Sequence, residues 1–119
     1  MLKALLIVDH GSTVHESNAM LEELAELIRG MRPGLIVHTA HLDVLEPTIA
    51  QGFGKCIADG ATDIVVHPYM LAPGRHATQD VPRLVQEVAS RSPHVAVTVS
   101  GPLGLHDKIA QVVLERANV

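Results

Sequence analysis

The sequence predicts one α/β domain: a doubly wound, parallel sheet of about four strands with helices on both faces. Three observations carry this. Short apolar runs alternate regularly with amphipathic segments, the β-α pattern of a parallel sheet joined by right-handed crossovers. The core must be aliphatic, because the chain has no Trp, one Phe (Phe53) and one Tyr (Tyr69). No linker or low-complexity segment divides the 119 residues, a length that buries roughly 65% of the unfolded surface.

The elements follow in order. Residues 3–9, with a continuous apolar run from Ala4 to Val8, read as a buried strand. Thr13 with Glu16 reads as a capping box. Met20, Leu21, Leu24, Ala25 and Ile28 then recur at helical spacing, with Glu22, Glu23 and Glu26 outward. Gly30 and Pro33-Gly34 are expected to stop that helix. Residues 35–42 read as a second strand. Pro47 suits the first turn of a second helix, which runs to about Asp59 and ends at Gly60. Asp63 to Met70 reads as a third strand, Leu71 to Arg75 as a loop. A third helix spans about Thr78 to Arg91, with Pro82 near its start, where a missing N–H costs little. Val95 to Ser100 is a fourth strand, Gly101–Gly104 a loop, and Leu105 to Ala117 a closing helix.

Composition narrows the function. A net charge of -4 argues against a nucleic-acid binder, which presents a basic face. No charged leader precedes an apolar core, and no apolar run nears the ~20 residues that span a bilayer. The single cysteine, Cys56, forms no internal disulfide and suits a reducing cytoplasm. It falls in a predicted helix and reads as a small core residue.

Ligands of such folds bind beyond the carboxyl ends of the strands. His10, Asp43, Glu46, His67, His76 and the Gly101–Gly104 loop are predicted to converge there. His10 ends the run Leu5–Asp9 before the Gly11 turn, and His76 follows Pro73-Gly74-Arg75. Imidazole suits borderline divalent ions, and two histidines leave coordination positions open, as fits a metal that is delivered rather than structural. His67, inside a strand, reads as a buried structural histidine. His41, at a strand end, fits either role. His15, His38, His94 and His106 read as solvent-facing or structural.

The segments Asp9–Ser12, Ala40–Ile49, His67–Pro82 and Pro102–His106 resemble, in order and spacing, the small form of the class II chelatases, the CbiX and SirB group acting on sirohydrochlorin. The resemblance covers nearly the whole chain, residues 1–119 as one domain. It implies insertion of a divalent metal (Co²⁺, or Ni²⁺ or Fe²⁺) into sirohydrochlorin or a related tetrapyrrole without a nucleotide. The absence of a G-x-x-x-x-G-K-[ST] loop agrees with this. By resemblance, His10 and His76 hold the incoming metal and Glu46 assists as base or extra ligand, with Asp43 as the weaker carboxylate candidate. The length further implies a homodimer in which two copies form the cavity.

The chemistry fits these residue types. Insertion releases two pyrrole protons, which a histidine or carboxylate can accept. Neutral imidazole surrenders a metal more readily than thiolate would, and it must be deprotonated to bind, so activity is expected to fall below about pH 6. Arg75 can pair with a substrate carboxylate. Backbone N–H groups at Gly11-Ser12 and in the loop ending at Gly104 are further candidates for such anions. Two features depart from the family pattern: Thr13 stands where many members carry a basic residue, and Asp9 adds negative charge beside His10. Two rivals use the same residues. A histidine phosphatase would need a phosphate clamp where Asp9 stands. A non-catalytic metal or tetrapyrrole carrier would keep both histidines without accelerating insertion.

Overall fold

The computed structural model describes residues 2–42 and 45–119. Its elements are β1 (Lys3–Asp9), α1 (His15–Met31), β2 (Ile36–His41), α2 (Ile49–Ala58), β3 (Asp63–Pro68), a π-helical turn (His76–Asp80), α3 (Val81–Ala89), β4 (Ala96–Val99) and α4 (Asp107–Ala117). The four strands are parallel, in the order β2-β1-β3-β4. The predicted fold class holds.

Alternation along each strand sorts side chains between two faces. Ala4, Leu6 and Val8 of β1 point to one face with Ala40, Ile64 and Val66, and meet Phe53 and Cys56 of α2 and Val81 and Val85 of α3. Ile7 and Val37 point to the other, where Leu21 and Ala25 of α1 cover them. Burial pushes the Cys56 thiol up to about 12, with Asp59 adding to the effect, as befits a core residue.

Several boundaries differ from the sequence reading, each for a local reason. The Thr13–Glu16 capping box does not form. The Ser12 hydroxyl accepts from the Val14 N–H (2.9 Å), Asn18 Oδ1 accepts from the Ser12 N–H (2.9 Å), and α1 starts only at His15. Gly30 stays inside α1, where nothing crowds it; the chain leaves the helix through Pro33 and Gly34, the latter at φ +93. Pro47 is not in the first turn of α2. Thr48 caps that helix instead, in a reciprocal box with Gln51. The third helix opens as a π turn, two residues earlier than expected, and becomes α-helical at Val81. The third strand stops at Pro68.

The last helix differs most. None of the α4 side chains is buried, and Val112, Val113 and Leu114 are exposed. On the face that α1 covers at β1 and β2, the β3–β4 half presents half-buried Val65 and exposed Ala96 and Thr98. Among the described residues, helices thus lie on both faces but cover only part of one.

Candidate metal-handling edge

The strand order makes β1 the switch point: the chain passes from β1 outward to β2 on one side, then returns to pair β3 on the other. Crevices at such points bind ligands in doubly wound folds. His10 leaves the end of β1, and His76 follows the end of β3. The topology therefore brings together two residues far apart in sequence. Their ring centroids lie 4.7 Å apart, with the rings nearly perpendicular at 89°. Both line a cavity of about 300 Å³ walled by Met70, Leu71 and Ala72.

Local hydrogen bonds build this edge. The Tyr69 N–H donates to the Val8 carbonyl (2.7 Å), extending β3 past its last paired residue. The Leu103 and Gly104 N–H groups donate to the carbonyls of Met70 (2.9 Å) and Leu71 (2.8 Å), which fastens the Gly101–Gly104 loop to the cavity wall. His76 Nδ1 lies 2.7 Å from Asp80 Oδ2. An ionised carboxylate only accepts, so Nδ1 carries the proton and Nε2 keeps its lone pair for a ligand. Asp80 is a candidate site residue, by its contact with His76, that the sequence reading missed. The available signal was its spacing, four residues after His76 at the start of a helix.

Other predicted residues fall elsewhere. Arg75 is exposed, next to His76 in the chain, and does not line the cavity. Glu46 is exposed; Gln51 Nε2 donates to its Oε2 (2.7 Å), and it lines a separate open cavity with Pro47, Gln51 and Lys55, not the one that holds His10 and His76. Asp43 lies outside the described residues. The proposed backbone anion sites are changed by the structure. The N–H groups of Gly11, Ser12 and Gly104 already donate, to Asp9 Oδ1, Asn18 Oδ1 and the Leu71 carbonyl, and α1 begins three residues after Ser12. Ser12 can still reach a substrate carboxylate through its hydroxyl, whereas Gly104, whose one donor is taken by the Leu71 carbonyl, has none left.

The remaining histidines lie outside this cavity, in packed, capping or exposed positions. His67 is half-buried with Nδ1 2.8 Å from Ser100 Oγ, and burial lowers its pKa. His41 is buried against Asp9 at 2.5 Å. His38 pairs with Asp59 (2.6 Å), and His106 caps α4 by accepting from the Lys108 N–H (3.0 Å). His15 and His94 are exposed. Among the described residues, no group of three or more His, Cys, Asp or Glu side chains is arranged to enclose a metal.

These features define a small doubly wound protein with two histidine rings in contact at its switch point, the candidate ligand edge. Comparison with known proteins gives the family: the chain belongs to CbiX, whose model matches residues 4–119. It is 38% identical over 112 residues to the chloroplastic sirohydrochlorin ferrochelatase of Arabidopsis thaliana, covering 94% of this chain and 50% of that protein. It is 30% identical over 142 residues to a sirohydrochlorin cobaltochelatase of Methanococcus maripaludis, covering 98% of this chain and 99% of that one. The crystal structure of the sirohydrochlorin chelatase SirB from Bacillus subtilis subspecies spizizenii with cobalt superposes with a TM-score of 0.92 at 30% identity, over 99% of this chain and 50% of that one. The chain thus spans about half the length of the ferrochelatases it matches and nearly the whole of the archaeal cobaltochelatase.

Proposed function

We propose that this protein inserts a divalent metal ion into sirohydrochlorin or a closely related tetrapyrrole, without a nucleotide. The observation that carries the reading is the facing pair of His10 and His76 at the switch point, in a chain whose relatives are named as chelatases of sirohydrochlorin with iron or cobalt. The metal is a substrate. His10 and the Nε2 of His76 hold it; two imidazoles leave most of its coordination sphere to water and then to the ring nitrogens. Two pyrrole N–H bonds break as the metal enters, and the two protons pass to bases at the edge. Glu46 is the candidate carboxylate base; it is held by Gln51 on the loop beyond β2 and lines a cavity separate from that of His10 and His76, so the tetrapyrrole must span both for it to serve. Arg75, exposed next to His76 in the chain, pairs with a substrate carboxylate, and the Ser12 hydroxyl makes a secondary contact. Cobalt, nickel and iron all suit this donor set.

Two copies are proposed to close over the substrate. The unburied α4, the partly bare β3–β4 face and the doubled length of several relatives support this. A cytoplasmic setting accords with the lone, buried Cys56. The test mixes sirohydrochlorin with Co²⁺ and follows the absorbance change with and without protein. Acceleration that disappears in the double variant His10→Ala, His76→Ala supports the reading. A rate equal to that without protein leaves a carrier, and full activity in the double variant removes the site assignment. Light scattering tests the dimer; a monomer at micromolar concentration overturns it.

A further inference from the structure

We infer that Asp9 and His41 are a positioning pair, a carboxylate–imidazole clamp beneath the His10–Gly11 turn that holds the His10 ring opposite His76. The inference rests on the proposed reading of His10 and His76 and adds two residues that act through His10.

The clamp is visible in four contacts. Asp9 Oδ1 lies 2.5 Å from His41 Nδ1 and accepts from the Gly11 N–H at 3.0 Å. One oxygen thus ties together the residues on either side of His10 and the end of the neighbouring strand. The Leu42 N–H donates to the Asp9 carbonyl (2.8 Å), and the His41 N–H donates to the Pro47 carbonyl (2.8 Å), which fixes His41 to the segment leading into α2. His41 is only 5% exposed, so its ring has no freedom to swing away.

Packing adds to the hydrogen bonds. Gly11 has φ +85, a conformation glycine adopts without strain. A Cβ placed on it would stand 3.2 Å from His41 Cβ and 3.4 Å from Leu45 Cδ1. The turn therefore lies flat on the His41 side chain, and His10 is held at both flanking residues. Asp9 accepts from both donors, so Nδ1 of His41 carries the proton. The same device recurs at the other histidine, where Asp80 fixes His76. Carboxylates that orient a metal-binding imidazole directly are a common second layer of metal sites. Here Asp9 orients His10 through the backbone and through a second imidazole.

The test compares His41→Phe, which keeps a ring but loses the donor, with His41→Asn, which returns an N–H near the position of Nδ1. Three readouts are taken on each protein: melting temperature, the nuclear Overhauser contact between the His10 and His76 rings, and Co²⁺ affinity without tetrapyrrole. His41→Phe is expected to lose the ring contact and to weaken Co²⁺ binding about 10-fold, the usual scale for outer-layer partners, with His41→Asn recovering most of both. An intact ring contact and affinity in His41→Phe overturn the clamp, as does a His41→Asn protein that behaves like His41→Phe. In the unmodified protein the His41 Nδ1 proton is expected as a protected downfield resonance. Its absence overturns the clamp even if His41→Phe fails to fold. His10→Ala separates the two ideas: unchanged Co²⁺ affinity there removes His10 as a metal handler, while the ring contact still decides the clamp.

Discussion

Gly52 lies where α2 rests on the sheet, directly behind the strand that carries His41. Replacing it with alanine places a Cβ 2.7 Å from Leu6 Cδ1, 2.9 Å from the Thr39 carbonyl oxygen and 3.2 Å from Ala40 Cβ. Ordinary contact starts near 3.4 Å, so the helix must lift by roughly half an ångström. Leu6 can adjust its side chain, but the carbonyl belongs to β2 and can move only with the strand. Overpacking of this kind costs ~1–3 kcal/mol, and the fixed carbonyl puts this case in the upper part of that range. Alanine regains ~1 kcal/mol of helix propensity. The expected net loss is about 1–2 kcal/mol. Gly54, in the same helix, supplies the control, because nothing lies within 4 Å of a Cβ built there. Gly54→Ala should stabilise by ~0.5–1 kcal/mol. Urea unfolding of both variants measures the difference, about 2 kcal/mol or roughly 30-fold in the folding equilibrium. If Gly52→Ala is as stable as Gly54→Ala, the close approach of α2 to β2 is not what sets this packing.

Three further outcomes are expected. Asp80→Asn removes the carboxylate that orders His76 and should weaken Co²⁺ binding about 10-fold at unchanged fold, as judged by circular dichroism and titration; undiminished affinity would remove Asp80 from the site. His67 has a lowered pKa when folded, because burial disfavours its charged form. Between that value and about 6.5, where it titrates unfolded, the unfolded chain binds more protons, so its contribution to stability is full above about pH 6.5 and is lost as pH falls. His67→Gln should therefore show a shallower loss of stability on acidification, and an identical slope in denaturant melts across pH 5–8 would contradict this. Cys56, buried and with its thiol pushed up to about 12, should resist a disulfide reagent at pH 8 until denaturant is added. Rapid labelling of the folded protein would show that the α2 packing opens.

The β-α rhythm, the aliphatic core and the strand-end placing of His10 could be read from sequence, because each depends on residues close together in the chain. The apolar stretch from Ala4 to Val8 lies at the centre of β1, with Ala4, Leu6, Ile7 and Val8 buried across its two faces, and Cys56 packs in the core. Helix starts were harder to place. Thr13–Glu16 and Thr48–Gln51 both match a capping pattern, and only the second forms, because Ser12 and Asn18 bond locally at the first. Three things depended on the fold as a whole. The strand order decided that His10 and His76 face each other at the switch point, since periodicity within a strand says nothing about its neighbours. Burial decided that His41 serves Asp9, because the partner lies 32 residues away. The packing of α2 decided that Glu46 lines its own cavity, held by Gln51. Residue spacing sets local geometry and the identity of the donors. Which donors meet is set by side-chain burial and backbone pairing across the sheet.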